Sequence, residues 1–169
     1  MSNTPLLNRI RQNHALEHAT MHVLGELPKP LRLMGRSDWR GFTLYGDVDT
    51  QDVMQAAVEG LTRLRGGEKW LAVHPNCGTN LAVGGLLAST AAYTTAISVQ
   101  SSRLGRAAVV VMAMAAALAV ARPIGLAVQQ YVTTMCRVDG LRLRVERREP
   151  RGKMVIHRVS VERDLDFVR

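Results

Sequence analysis

The chain has 169 residues, a formal net charge of +8, 47% hydrophobic residues and 4% aromatics; this length suits one domain, or one small domain with an addition. Two cysteines, Cys77 and Cys136, cannot build a disulfide framework, and no cleavable signal peptide opens the chain, so the soluble parts are expected in the cytoplasm with reduced thiols. The excess positive charge gathers over 137–153, beside an apolar region and without interleaved aromatics, which points to lipid headgroups and away from nucleic acid.

In chain order, Thr4 as N-cap with Pro5 at the first helical position predicts a helix running to about Leu24, stopped by Gly25, Pro28 and Pro30. Its apolar seam falls at Leu7, Ile10, Met21 and Leu24, and His14 and Glu17 occupy the two positions missing from it. Chemical side chains are therefore expected on the inward face. "LRLMG" and "GFTLYG" read as strands separated by the polar turn "RSDWR". Asp49 and Thr50 cap a second helix over 51–64, with Val53, Ala57, Leu61 and Leu64 on one face and Gly66-Gly67 at its end. "KWLAVH" reads as a short buried strand leading into "HPNCGTN", which completes an α-β-β-α-β front half.

Residues 81–99, "LAVGGLLASTAAYTTAISV", carry no charge, and "AAVVVMAMAAALAVA" follows after the linker "QSSRLGR". A span needs about 20 mostly apolar residues; the second run reaches this by continuing past Arg122 and Pro123 into "IGLAV". Two linked transmembrane helices put both termini on one side. The competing reading is a buried helical hairpin in a soluble protein, or a small-residue pair that dimerises. Against it, the two runs hold more apolar surface than the front half could cover. Their Gly, Ala, Ser and Thr suit close packing in lipid, and a homodimer through these helices is one further reading. The arginine-rich tail outnumbers Arg103 and Arg106 of the linker, which places both termini in the cytoplasm.

The tail "LRLRVERREPRGKMVIHRVSVERD" alternates apolar and polar residues on both sides of "EPRGK", the pattern of a β-hairpin. The expected fold is α+β: a small α-β-β-α-β cytoplasmic domain completed by a C-terminal β-hairpin, with an inserted two-helix transmembrane hairpin. Its divisions are 1–79 with the metal site, 80–135 as the helical hairpin, and 136–169 as a basic hairpin packing on the first domain.

The chemistry concentrates in "HALEHATMH". His14 and His18 are four apart and share a helix face with Glu17, in the order H-x-x-E-H. Two imidazoles in this arrangement hold zinc, and the carboxylate takes a proton from metal-bound water. The alternative is a satisfied core pair, His14 with Glu17, and His18 at its edge. His22 is rotated off that face as a flanking residue or reserve ligand. A third ligand is offered by His74 or Cys77 of "HPNCGTN", unless "PNCGTN" is only turn and capping chemistry with Thr79 or Asn80 capping the span. Glu59 projects away from the apolar face of its helix, and His157 sits in a basic run expected at the surface. Asp47 and Asp49 serve the turn and the helix cap, or lend carboxylates to an outer shell. Zinc fits the ligand types best, although histidine suits other divalent metals.

"HALEHAT" and "HPNCGTN", joined by "GFTLYGDVDTQDV" and followed by two small-residue spans, resemble a family of uncharacterised bacterial membrane proteins, also found in photosynthetic lineages, classed as a domain of unknown function. The resemblance covers the chain from about Asn13 to the second span. It implies a bacterial inner (plasma) membrane protein with roles for His14, Glu17, His18, His74, Asn76 and Cys77. The five residues from His14 to His18 also resemble the pitrilysin-type zinc proteases, which take a downstream glutamate as third ligand. Three functions follow: a membrane-anchored zinc hydrolase with Glu17 as general base, a non-catalytic metal-handling membrane protein, or a structural protein that helps assemble a larger complex.

Overall fold

The computed structural model describes residues 5–29, 31–151 and 154–163, except for the side chains of 148–151 and 154. Thr4, Pro30 and the Gly152-Lys153 centre of the expected hairpin turn lie outside the described residues. The fold is mixed α+β, with four α-helices and a four-stranded antiparallel sheet among the described residues. Two units divide the chain: Met1–His74 with Gln130–Arg169, and Pro75–Gln129.

The first unit contains α1 (Leu6–Gly25), β1 (Met34–Asp38), β2 (Gly41–Tyr45), α2 (Thr50–Arg65), a 3-10 turn (Lys69–Ala72), β3 (Leu141–Arg151) and β4 (Met154–Arg163). The sheet order is β1-β2-β4-β3, so the C-terminal hairpin joins the front strands through β4. Its inward row sets Phe42 against Val159 and Val145, and Leu44 against His157. Phe42, Leu44, Val159, Leu16, Leu24 and Leu71 are fully buried and form the core with one face of α2. Each such side chain contributes about 1.5–3 kcal/mol through removal from water.

Asp49 caps α2 by accepting the Gln51 N–H at 2.8 Å, and Val53, Ala57, Leu61 and Leu64 turn inward as their spacing predicts. Gly60 allows α2 to approach α1: a Cβ there would stand 3.0 Å from the Ala19 carbonyl carbon and 3.1 Å from the Thr20 nitrogen. Enclosed in this way, α1 is buried from Asn13 through Thr20, except for half-buried His14. The expected seam needs correction at its start, because Leu7 is 65% exposed. The first turns of α1 precede the stretch that the rest of the unit encloses.

Two local expectations also change. "KWLAVH" is not a strand. Gly67, at φ +97°, turns the chain after α2, and the 3-10 turn that follows buries the adjacent Leu71 and Ala72 together. A strand would send these neighbours to opposite faces. The front hairpin is tighter than "RSDWR" implies: Asp38 pairs with Gly41, which leaves Trp39 and Arg40 as the loop. Asp38 holds this loop by accepting the Arg40 N–H at 2.8 Å, while its carboxylate takes a bidentate pair from Arg158 at 2.7 and 2.8 Å. That guanidinium holds the Asp38 carboxyl below its usual range.

The second unit consists of α3 (Gly78–Ser98) and α4 (Arg103–Val128) up to Gln129, the first residue of the π-helical turn Gln129–Thr133. Both helices are long and apolar enough to cross a membrane. At 1.5 Å per residue, 21 and 26 residues reach about 32 and 39 Å, enough for a hydrocarbon layer of about 30 Å. Gly84 faces Leu118 and Ala121 of α4, and a Cβ there would stand 3.7 Å from both side chains, an ordinary packing distance. A polar clasp closes one end: fully buried Gln129 donates to Asn80 Oδ1 at 2.8 Å, and Asn80 donates to the Pro75 carbonyl at 2.7 Å. Gly125 makes room for the Asn80 side chain, which a Cβ there would strike.

Candidate metal centre

α1 carries His14, His18 and His22 at intervals of four residues, which at 3.6 residues per turn form a slowly drifting ridge. His74 follows the 3-10 turn and brings a fourth ring to this ridge. The ring centroids of His14 and His18 are 4.3 Å apart, those of His18 and His74 5.7 Å, and those of His22 and His74 4.9 Å.

Backbone carbonyls orient three of these rings. His14 Nδ1 donates to Thr133 at 3.1 Å, His18 Nδ1 to Ala72 at 2.7 Å, and His22 Nε2 to Val73 at 2.9 Å. A carbonyl can only accept, so the bonded nitrogen of each ring carries hydrogen. In the neutral ring the lone pair then sits on Nε2 of His14 and His18 and on Nδ1 of His22. A metal-binding histidine characteristically donates its other N–H to such an acceptor. The 3-10 turn that replaces the expected strand is what delivers two of the carbonyls, Ala72 and Val73, from its C-terminal end.

Burial pushes the His74 imidazolium pKa below its ordinary value, and neighbouring His22 pushes it the same way. His74 is therefore predominantly neutral at neutral pH. The outer edge of the cluster is aromatic and charged: His22 lies 5.2 Å from the Trp70 ring, and Arg63 sits 5.7 Å over that ring while paired with Glu26 and Glu68.

Glu17 is 5% exposed, and its carboxylate fills the space beside Gly35 of β1; a side chain at Gly35 would collide with it. Glu59 is exposed and pairs with Arg63 at 3.5 Å. Cys77 belongs to the second unit, where it caps α3: its sulfur accepts the Thr79 N–H at 3.4 Å. The cap is thus Cys77 itself and neither Thr79 nor Asn80. Asn76 is exposed in that unit, and Asp47 is exposed in the first.

His22, expected as a flanking residue or reserve ligand, lies beside His74, whereas the surface position expected of His157 needs correction. His22 joins the cluster through His74, a contact foreshadowed by the repeated four-residue spacing. His157, expected at the surface, is fully buried and donates from Nε2 to the Val48 carbonyl at 3.1 Å. It shares the parity of Val159 and Val161 on β4, so alternation turns it inward among basic neighbours. Burial holds its pKa below the ordinary value.

Residues 9–145 match a family model described as a domain of unknown function, DUF6391. An uncharacterized protein of Picosynechococcus sp. is 41% identical over 134 residues, 74% of this chain. The chain covers 65% of that relative's length. No solved structure matches.

Proposed function

The chain belongs to the DUF6391 family, a domain of unknown function, and we propose that it is a membrane-anchored protein that binds a divalent transition metal, zinc before others. His14, His18 and His74 are the proposed ligands. Cys77, three residues after His74 in sequence, is the proposed thiolate addition to them. The observation that supports this most is the carbonyl partner given to each of His14, His18 and His22. Neutral imidazoles of set tautomer suit zinc, copper or nickel, whereas magnesium and calcium prefer oxygen. The hydrophobic lengths of α3 and α4 support a bilayer as their surroundings, with both termini on the cytoplasmic side of a bacterial plasma membrane. Their small residues leave a homodimer open as an additional reading.

Metal content by elemental mass spectrometry on detergent-purified protein tests the proposal. At least near-stoichiometric zinc in wild type, reduced in both His14→Ala and His74→Ala, is the expected result. Folded wild type without metal overturns it. A second reading, a zinc hydrolase with Glu17 as general base, draws on a buried carboxylate next in sequence to His18. Glu17→Gln separates the two: a hydrolase keeps zinc and loses turnover on a panel of chromogenic esters and peptides. In the metal-handling reading no zinc-dependent turnover exists to be lost.

A further inference from the structure

The four imidazoles stand in a file rather than around a point. His14 and His22 are eight residues apart on α1, which separates them by about 12 Å along the axis. Their carbonyl tethers are also separate, Thr133 for one and Val73 for the other. The consecutive rings, His14 to His18 to His74 to His22, lie 4.3, 5.7 and 4.9 Å apart.

With zinc–nitrogen bonds of about 2.0 Å, imidazole centroids sit roughly 3.2 Å from a shared ion and about 5 Å from each other in a tetrahedral set. Each neighbouring pair of the file lies near that spacing. The two ends, two turns apart and tied to different carbonyls, do not reach a common ion while those tethers hold. Four rings in one chain therefore supply more ligands than one seat can use.

Resting on the metal-binding reading above, we infer that the file is two overlapping metal seats: an inner one founded on His14 and His18, and an outer one founded on His74 and His22. A labile divalent ion passes between them by ligand exchange at His18 and His74. In each exchange one metal–nitrogen bond forms as another breaks. The ligands stay neutral, the ion keeps its charge, and no proton or electron is transferred. The class of ligand is a borderline divalent ion that exchanges imidazoles readily, which makes the centre one for handing metal on.

The decisive variant is His22→Gln, because a glutamine amide can still donate to the Val73 carbonyl but offers no imidazole lone pair. Cobalt(II) titration of the detergent-purified full chain, read by visible absorption, is expected to show two equivalents in wild type, the second at least tenfold weaker. His22→Gln is expected to lose the second equivalent and keep the first within about twofold. Zinc transfer from loaded protein to a chromogenic chelator should slow at least fivefold in this variant, with the circular dichroism spectrum unchanged. One equivalent in wild type, with transfer unaffected by His22→Gln, overturns the two-seat inference and leaves the metal-binding reading standing. Absence of any bound metal in wild type overturns both.

Discussion

α1 carries histidines, arginines and Glu17, yet from Asn13 to Thr20 the surrounding protein covers nearly all of it. In α3 and α4 the relation is reversed: Leu81, Tyr93, Leu104 and Met112 stand 68% to 84% exposed on helices with few polar side chains. Polar groups on α1 are tolerated because carbonyls of the 3-10 turn and of Thr133 satisfy them. Apolar groups on α3 and α4 suit surroundings that are themselves apolar. Hydropathy thus identifies which helix needs which environment, and the hydrogen bonds reveal how the less favourable assignment was met.

The largest expected effect tests this contrast within one residue type. Leu16→Ala empties a fully buried site and should destabilise by about 3 kcal/mol. Leu86→Ala, at a site 68% exposed, should cost less than about 0.5 kcal/mol. Denaturation in detergent micelles measures both, and equal losses would break the comparison.

An effect of similar size, about 3 kcal/mol, is expected on insertion when a charge is placed within α4. Met112→Arg should move the protein out of the membrane fraction of expressing cells. Unaltered fractionation would count against a bilayer around α3 and α4.

A smaller effect belongs to the polar clasp of the hairpin. Gln129→Leu removes the donor to Asn80 and should lower stability by about 1 kcal/mol, the usual worth of a hydrogen bond between membrane helices. Titration with a denaturing detergent reads the shift, and no shift would mean that the clasp is energetically neutral.

The smallest effect is a pH dependence from buried His157. Its folded pKa lies below the ordinary 6.5, so above that pH the ring is neutral in folded and unfolded chains alike. As pH falls through 6.5 the unfolded chain takes up the proton first, and stability drops until the folded pKa is passed. His157→Gln should flatten the stability profile between pH 7 and pH 5 relative to wild type. An unchanged slope would assign the acid sensitivity to other groups.

Several features could be read from the residues alone. α2 with its Asp49 cap, the apolar runs of α3 and α4, and the alternating C-terminal strands all depend on periodicity and capping, which are local properties. The His14 and His18 pair is likewise a consequence of helical spacing. Parity with Val159 and Val161 on β4 also turns His157 inward, although its basic neighbours give that stretch the composition of a surface strand.

What only the tertiary structure decided are the matters that depend on distant partners. Residues 69–72 turn rather than extend because Leu71 and Ala72 must enter the same core, and that core exists only once α1, α2 and the sheet have met. His22 and His74 are 52 positions apart in sequence and come together only through that turn. The tautomers of His14, His18 and His22 follow from carbonyls contributed by other parts of the chain. Periodicity announces which side chains share a face; which backbone groups stand opposite them is settled only when the elements pack.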